Sequence, residues 1–136
     1  MIFTLRVFFL LVAATMLLLT GWAGSQVSLW SIPDPVLRHP WFIATLADAG
    51  FAFLAFYAWA AWKEGGLVTR ALWLLATLSL GSMAIAAYFL RELFSVPRER
   101  ALDAVFTRRY PPRPVLPAVL AILGLAAWGV PYALAP

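Results

Sequence analysis

Long apolar stretches, separated by short clusters of charge, proline and glycine, set the pattern of this chain. A membrane-spanning helix needs roughly 20 consecutive apolar residues, because in hydrocarbon every backbone N–H and C=O must be satisfied within the segment. Four stretches reach that length. The first runs from about Ile2 to Trp22, with Arg6 close enough to its start to snorkel to the interface. Its cation, its apolar run and the small residues Gly21 and Ala23 also suit a cleavable signal peptide, and that alternative stays open here. The second, about Trp41 to Trp62, begins after Pro40 and stops at Lys63, Glu64, Gly65 and Gly66. The third, about Thr69 to Leu90, is bounded by Arg70 and by Arg91 with Glu92. Its short link to the second predicts an antiparallel hairpin. The fourth, about Val115 to Leu134, follows the stiff run Pro111, Pro112, Arg113, Pro114.

The pattern predicts an all-α membrane protein: one transmembrane domain over residues 1–136, an antiparallel bundle of four transmembrane helices. Between the first two helices, Ser25 to Pro40 reads as an irregular interfacial loop. Before the fourth, Val96 to Tyr110 places Leu102, Val105 and Phe106 at helical spacing among charged residues, which predicts a short helix on the membrane surface. Its Arg98, Arg100, Arg108 and Arg109 are candidate contacts to lipid headgroups or to a partner. Trp41, Trp59, Trp62 and Trp73 lie near helix ends, where amphipathic indoles settle at headgroup depth.

Composition strengthens the membrane reading. The 136 residues are 64% hydrophobic and 12% charged, too much apolar surface for one soluble domain. The net charge of +4 does not imply nucleic acid, since the basic residues flank apolar segments. On a four-span path Arg6, Lys63 and Arg70 fall on the side of the termini, and Arg38, Arg91, Arg98, Arg100, Arg108, Arg109 and Arg113 on the other. The positive-inside rule then places both termini outside, with a bacterial inner membrane as the expected location.

Candidate chemistry is sparse. Without cysteine there is no disulfide, thiolate nucleophile or iron–sulfur ligation. A single histidine, His39, at a membrane edge supplies neither a metal cluster nor a catalytic triad. No metal or cofactor is expected, though a bound lipid or pigment stays open beside the ring-bearing face of Phe42, Leu46, Phe53 and Phe56.

Asp48 is the exception, about seven residues into the second helix, where an ionised carboxylate is costly unless paired or hydrated. A straight antiparallel hairpin sets it level with about Ala84, one turn from Tyr88. This suggests an intramembrane polar site of Asp48, Thr45, Tyr88 and Ser82. Such a site is a clasp that fixes helix packing, a proton- or cation-binding site, or a partner contact.

The residues His39, Pro40, Trp41, Ala44, Thr45, Leu46 and Asp48, then Trp59, Ala61, Lys63 and Glu64, form a pattern that resembles a known family. It continues through Ala71, Leu72, Trp73, Gly81, Ser82, Ala87, Tyr88, Leu93 and Phe94. The family is domain-of-unknown-function family 1475 of plant and bacterial membrane proteins, and the resemblance covers about residues 39–94. It implies a polytopic membrane protein with Asp48, Lys63 and Glu64 in the shared pattern, and no reaction, substrate or cofactor.

Three functions compete. The short loops, missing catalytic groups and apolar faces favour a non-enzymatic accessory or structural subunit of a larger membrane complex, in contact with membrane lipids and other membrane subunits. The alternatives are a small proton- or cation-coupled transporter built on Asp48, and a protein that binds a lipid or another hydrophobic ligand.

Overall fold

The computed structural model describes residues 1–96 and 102–133. Among them the secondary structure is helical: α1 (Ile2–Gln26), α2 (Asp34–Leu37), α3 (Pro40–Lys63), α4 (Leu67–Leu80), α5 (Ser82–Ser95), α6 (Asp103–Thr107) and α7 (Val115–Ala133), with a 3-10 turn at Leu29–Ser31. Helices α1 and α3 are each long and apolar enough to cross a membrane, whereas α4 and the α7 segment Val115–Val130 are apolar but shorter.

The expected third helix is two helices. Gly81 adopts φ 53° and ψ −124°, a conformation open to glycine and strained for other residues. The Phe53 ring occupies the place of its missing side chain: an added Cβ would lie 2.8 Å from Phe53 Cζ. The chain reverses there. Had residues 67–95 formed one straight rod, Arg70 and Arg91 would stand about 31 Å apart at 1.5 Å per residue. Instead Arg70 Nε donates to the Glu64 carbonyl at 2.9 Å, Arg91 pairs with the Glu64 carboxylate, and the Trp73 and Tyr88 rings meet at 4.8 Å. Helices α4 and α5 therefore form a hairpin, each arm 14 residues or about 21 Å long, well short of the roughly 30 Å hydrocarbon core.

The remaining helices pack around this hairpin. The link Glu64–Gly66 reverses the chain from α3 into α4. Helix α5 consequently runs alongside α3 in the same direction, with Phe56 and Trp59 against Tyr88 at 5.4 and 5.5 Å. Helix α1 runs against α5: Phe9 stacks on Phe89 at 4.4 Å, and Arg6 donates to the Leu93 carbonyl at 2.6 Å. It so satisfies a carbonyl that the helix end leaves free. Helix α7 follows α4 in parallel, close enough at Gly124 that a methyl there would strike Ser79 and Leu80. The break at Gly81 frees the Ser79 carbonyl, which accepts from Trp128 Nε1 at 2.9 Å, and Trp30 Nε1 in turn donates to the Trp128 carbonyl at 2.9 Å.

This path corrects the charge map expected from four spans. Arg6, Lys63, Arg70, Arg91, Arg108, Arg109 and Arg113 gather at one end of the molecule, and among the described residues Arg38 stands at the other. Both apolar clusters also lie towards the charged end. One comprises Ala60, Trp73, Ala76, Ala84, Tyr88 and Ala121, the other Ile2, Leu93, Val96 and Val105. The far halves of α1 and α3 are uncovered, because the hairpin turns before reaching them.

Gly81→Ala should destabilise the fold by about 2 kcal/mol or more, from a strained φ and a collision with Phe53. Gly50→Ala, whose added methyl meets nothing within 4 Å, should be neutral or slightly stabilising. Denaturant titration of the two variants in detergent checks the contrast.

Candidate functional site

At the charged end, four ionisable side chains close on one another inside the protein. Lys63 ends α3, Glu64 begins the link, and Arg91 and Glu92 sit towards the C-terminal end of α5, so the reversal at Gly81 is what brings the two pairs together. Lys63 pairs with Glu92, and Arg91 bridges Glu64 and Glu92, the latter at 2.9 Å. The Lys63, Glu64 and Glu92 side chains are fully enclosed, and 15% of the Arg91 side chain remains exposed. Charge balances within the quartet, which is what allows it to be buried at all.

Aromatic rings complete the enclosure. The Arg91 guanidinium lies 4.6 Å from the Tyr88 ring centre and 5.2 Å from those of Trp73 and Tyr110. The Lys63 ammonium lies 4.7 Å from the Trp59 ring. The segment around α6 folds back over the quartet rather than lying free on a surface. The Val105 and Phe106 carbonyls accept from Lys63 and from Trp59 Nε1, and Tyr110 N–H donates to the Lys63 carbonyl at 3.0 Å. Gly65 makes room for this strap, since a Cβ there would lie 2.7 Å from the Tyr110 carbonyl oxygen. Burial first, and then the nearby Glu92 carboxylate, push the Tyr110 hydroxyl up to about 12, so it remains a protonated donor at neutral pH.

The residues singled out from sequence are dispersed. Asp48 is exposed on α3. Thr45, also exposed, bonds back to the Trp41 carbonyl at 2.8 Å. Tyr88 is buried in the charge cluster instead, and Ser82 stands beside the hairpin turn. The expected level of Asp48 with Ala84 presumed a straight antiparallel third helix. In the fold it is Phe53 that meets Gly81, and α5 runs parallel to α3. Of the four tryptophans, Trp41 and Trp62 are exposed at 77% and 48%, Trp59 is half-buried, and Trp73 is buried outright, so it is not an interfacial residue. Arg109 lies over Trp62 at 4.4 Å and Arg108 over Tyr110 at 5.3 Å, while Arg98 and Arg100 fall outside the described residues. Among the described residues no three His, Asp or Glu side chains gather as a metal site.

Sequence reasoning missed Lys63, Glu64, Arg91 and Glu92 as a unit by assigning the two pairs to opposite membrane faces. The available signal was complementarity: two adjacent Lys/Glu and Arg/Glu pairs flank an apolar segment that is interrupted by Gly81.

These features define a class: an all-helical protein with two helices long and apolar enough to cross a membrane, closed at one end by a buried, charge-neutral quartet. The sequence model of the family described as "Protein of unknown function (DUF1475)" matches residues 2–110, and the chain belongs to that family. That span takes in every member of the quartet and its aromatic enclosure. No curated protein and no solved structure matches the chain.

Lys63→Met, which leaves two buried carboxylates to share Arg91 and the enclosure with an unbalanced negative charge, should cost about 3–5 kcal/mol, and adding Glu92→Leu should restore most of that loss. A double-mutant cycle on thermal unfolding checks both signs.

Proposed function

We propose that this protein is a multi-pass integral membrane protein that serves as a non-catalytic accessory subunit, docking on a different membrane protein through the uncovered half of α3. The observation that carries the reading is exposed Asp48. It sits about 12 Å into a helix apolar enough to span a bilayer, flanked on the same face by exposed Trp41 and Phe51, seven residues before it and three after. A carboxylate facing lipid at such depth costs about 2.5–3.5 kcal/mol on insertion scales. A partner helix that presents a cation or hydrogen-bond donor there removes the cost. A second copy of this chain is a poor candidate, because a twofold contact through this face sets the two Asp48 carboxylates against each other. The hairpin geometry supports the same reading, since it leaves the far half of the bundle without a helix that a partner could supply.

Charge supports an orientation. With the cationic end in the cytoplasm, the N-terminus lies inside, and α7, running away from that end, carries its C-terminal end outward. This reverses the orientation expected for the N-terminus from four spans.

A photo-crosslinker at Trp41 or Phe51 in native membranes should join the chain to one different membrane protein, and Asp48→Leu should cut that product about tenfold while leaving the fold intact. Adducts with lipid alone, or with a second copy alone, would sink the subunit reading. Alkaline phosphatase fused to the C-terminus should be active in the intact cell and a fluorescent protein there dark; the reverse pattern overturns the orientation.

A further inference from the structure

The quartet cancels its own charge, so the cationic character of that end comes from arginines outside it. Four of them, Arg70, Arg108, Arg109 and Arg113, are exposed, and none pairs with a carboxylate among the described residues. Against them, Asp103 on α6 is the one exposed carboxylate at this end among the described residues. The strap gathers the four. Tyr110 is bonded to Lys63, and Pro112 packs on Gly66, where an added Cβ would lie 3.1 Å from Pro112 Cγ. That contact sets Arg113, held between Pro112 and Pro114, beside the start of α4. Arg70 is anchored at the same link by its 2.9 Å bond to the Glu64 carbonyl.

Arg108 and Arg113 share one ring. Their guanidinium carbons lie 5.3 and 4.7 Å from the centre of Tyr110 and so no more than about 10 Å apart, near the Debye length at 0.1 M salt, where like charges still repel. Arg109 is held 4.4 Å from the centre of the Trp62 ring. The rings fix these cations in place, which lowers the ordering cost of binding an anion, and the guanidiniums of Arg108, Arg109 and Arg113 make no hydrogen bond to the described residues.

The border of the patch selects the class of anion. Trp62 at the end of α3, Leu67 and Val68 at the start of α4 and Val115 at the start of α7 are 48%, 82%, 68% and 77% exposed. A ligand that meets both sets of side chains presents an anionic group beside hydrocarbon. A nucleic acid or a free phosphate would leave the aliphatic side chains in water. A phospholipid covers them with its acyl chains while its phosphate meets the arginines. A zwitterionic headgroup also brings a cation, which four arginines repel.

We propose that Arg108, Arg109 and Arg113, with Arg70 beside them, form a docking surface for the headgroup of an anionic phospholipid. The proposal rests on the membrane reading above and not on the docking of α3.

The test titrates the purified full chain, in maltoside micelles, with phosphatidylglycerol or with phosphatidylcholine of the same acyl chains, and counts retained lipid by native mass spectrometry. Phosphatidylglycerol should be retained in preference, and Arg109→Gln and Arg113→Gln should each cut that preference about fivefold. Arg109→Lys and Arg113→Lys, which keep the charge, should hold it within about twofold, and Arg38→Gln at the far end should leave it unchanged. Equal retention of the two lipids, or a preference that survives loss of both arginines, overturns the proposal. Displacement of phosphatidylglycerol by an equal concentration of glycerol phosphate also overturns it, and assigns the patch to a soluble anion. Retention of neither lipid sinks the membrane reading with it. Because the chain is tested alone, the result is independent of whether a partner joins α3.

Discussion

Two half-length helices folded back on each other at a single glycine govern the rest of this structure. With φ at 53° and Phe53 seated where a side chain would be, Gly81 turns what reads as one long apolar helix into a hairpin. Three consequences follow from geometry. Arg91 and Glu92 return to the end of the molecule where Lys63 and Glu64 wait. Helix α5 comes to lie parallel to α3, opening a face for α1. The far halves of α1 and α3 are left exposed among the described residues. Two ion pairs that would be isolated at opposite ends of a rod become a neutral quartet, and only in that form are four charges tolerable inside protein.

Helix content, the start of α1, the limits of α3 to within a residue and the start of α7 were legible in the sequence, because apolar run length, the proline that opens α3 and those before α7 mark them directly, whereas α1 runs four residues past its expected end. The turn at Gly81 was not. A glycine inside an apolar run of about 22 residues is tolerated as readily by a straight membrane helix as by a broken one, and nothing local to Leu80, Gly81 and Ser82 distinguishes the two. The decisive information is non-local: the affinity of Arg91 for Glu64, 27 residues earlier, and a ring at Phe53 shaped to fill the gap. The errors about Asp48 and Tyr88 descend from that single reading, since both were placed by register along a helix that does not exist. Asp48 itself was visible as an anomaly from its depth alone, and the fold sharpens the anomaly by leaving it uncovered.

The molecule thus divides its labour along its length. One end is closed, with its cations paired, caged by rings or satisfying helix-terminal carbonyls, as Arg6 does at Leu93 and Val96. The other end is open, with indoles and aliphatic side chains facing outward. A stable closed end leaves the open end free to vary with little risk to the fold, which is what the proposed docking role of the uncovered half of α3 would require.

The quartet also imposes an order on biosynthesis. Lys63 leaves the ribosome 29 residues ahead of Glu92, about 1.5–6 seconds at ordinary elongation rates, and for that interval a cation and a carboxylate at the end of α3 lack their permanent partners. The Val105 carbonyl and the Tyr110 amide that complete the enclosure arrive later still. Helices α1 and α3 can enter a bilayer early, but the nascent chain can lock only after residue 110 has emerged, which makes residues 91–110 the clasp for the end of α3.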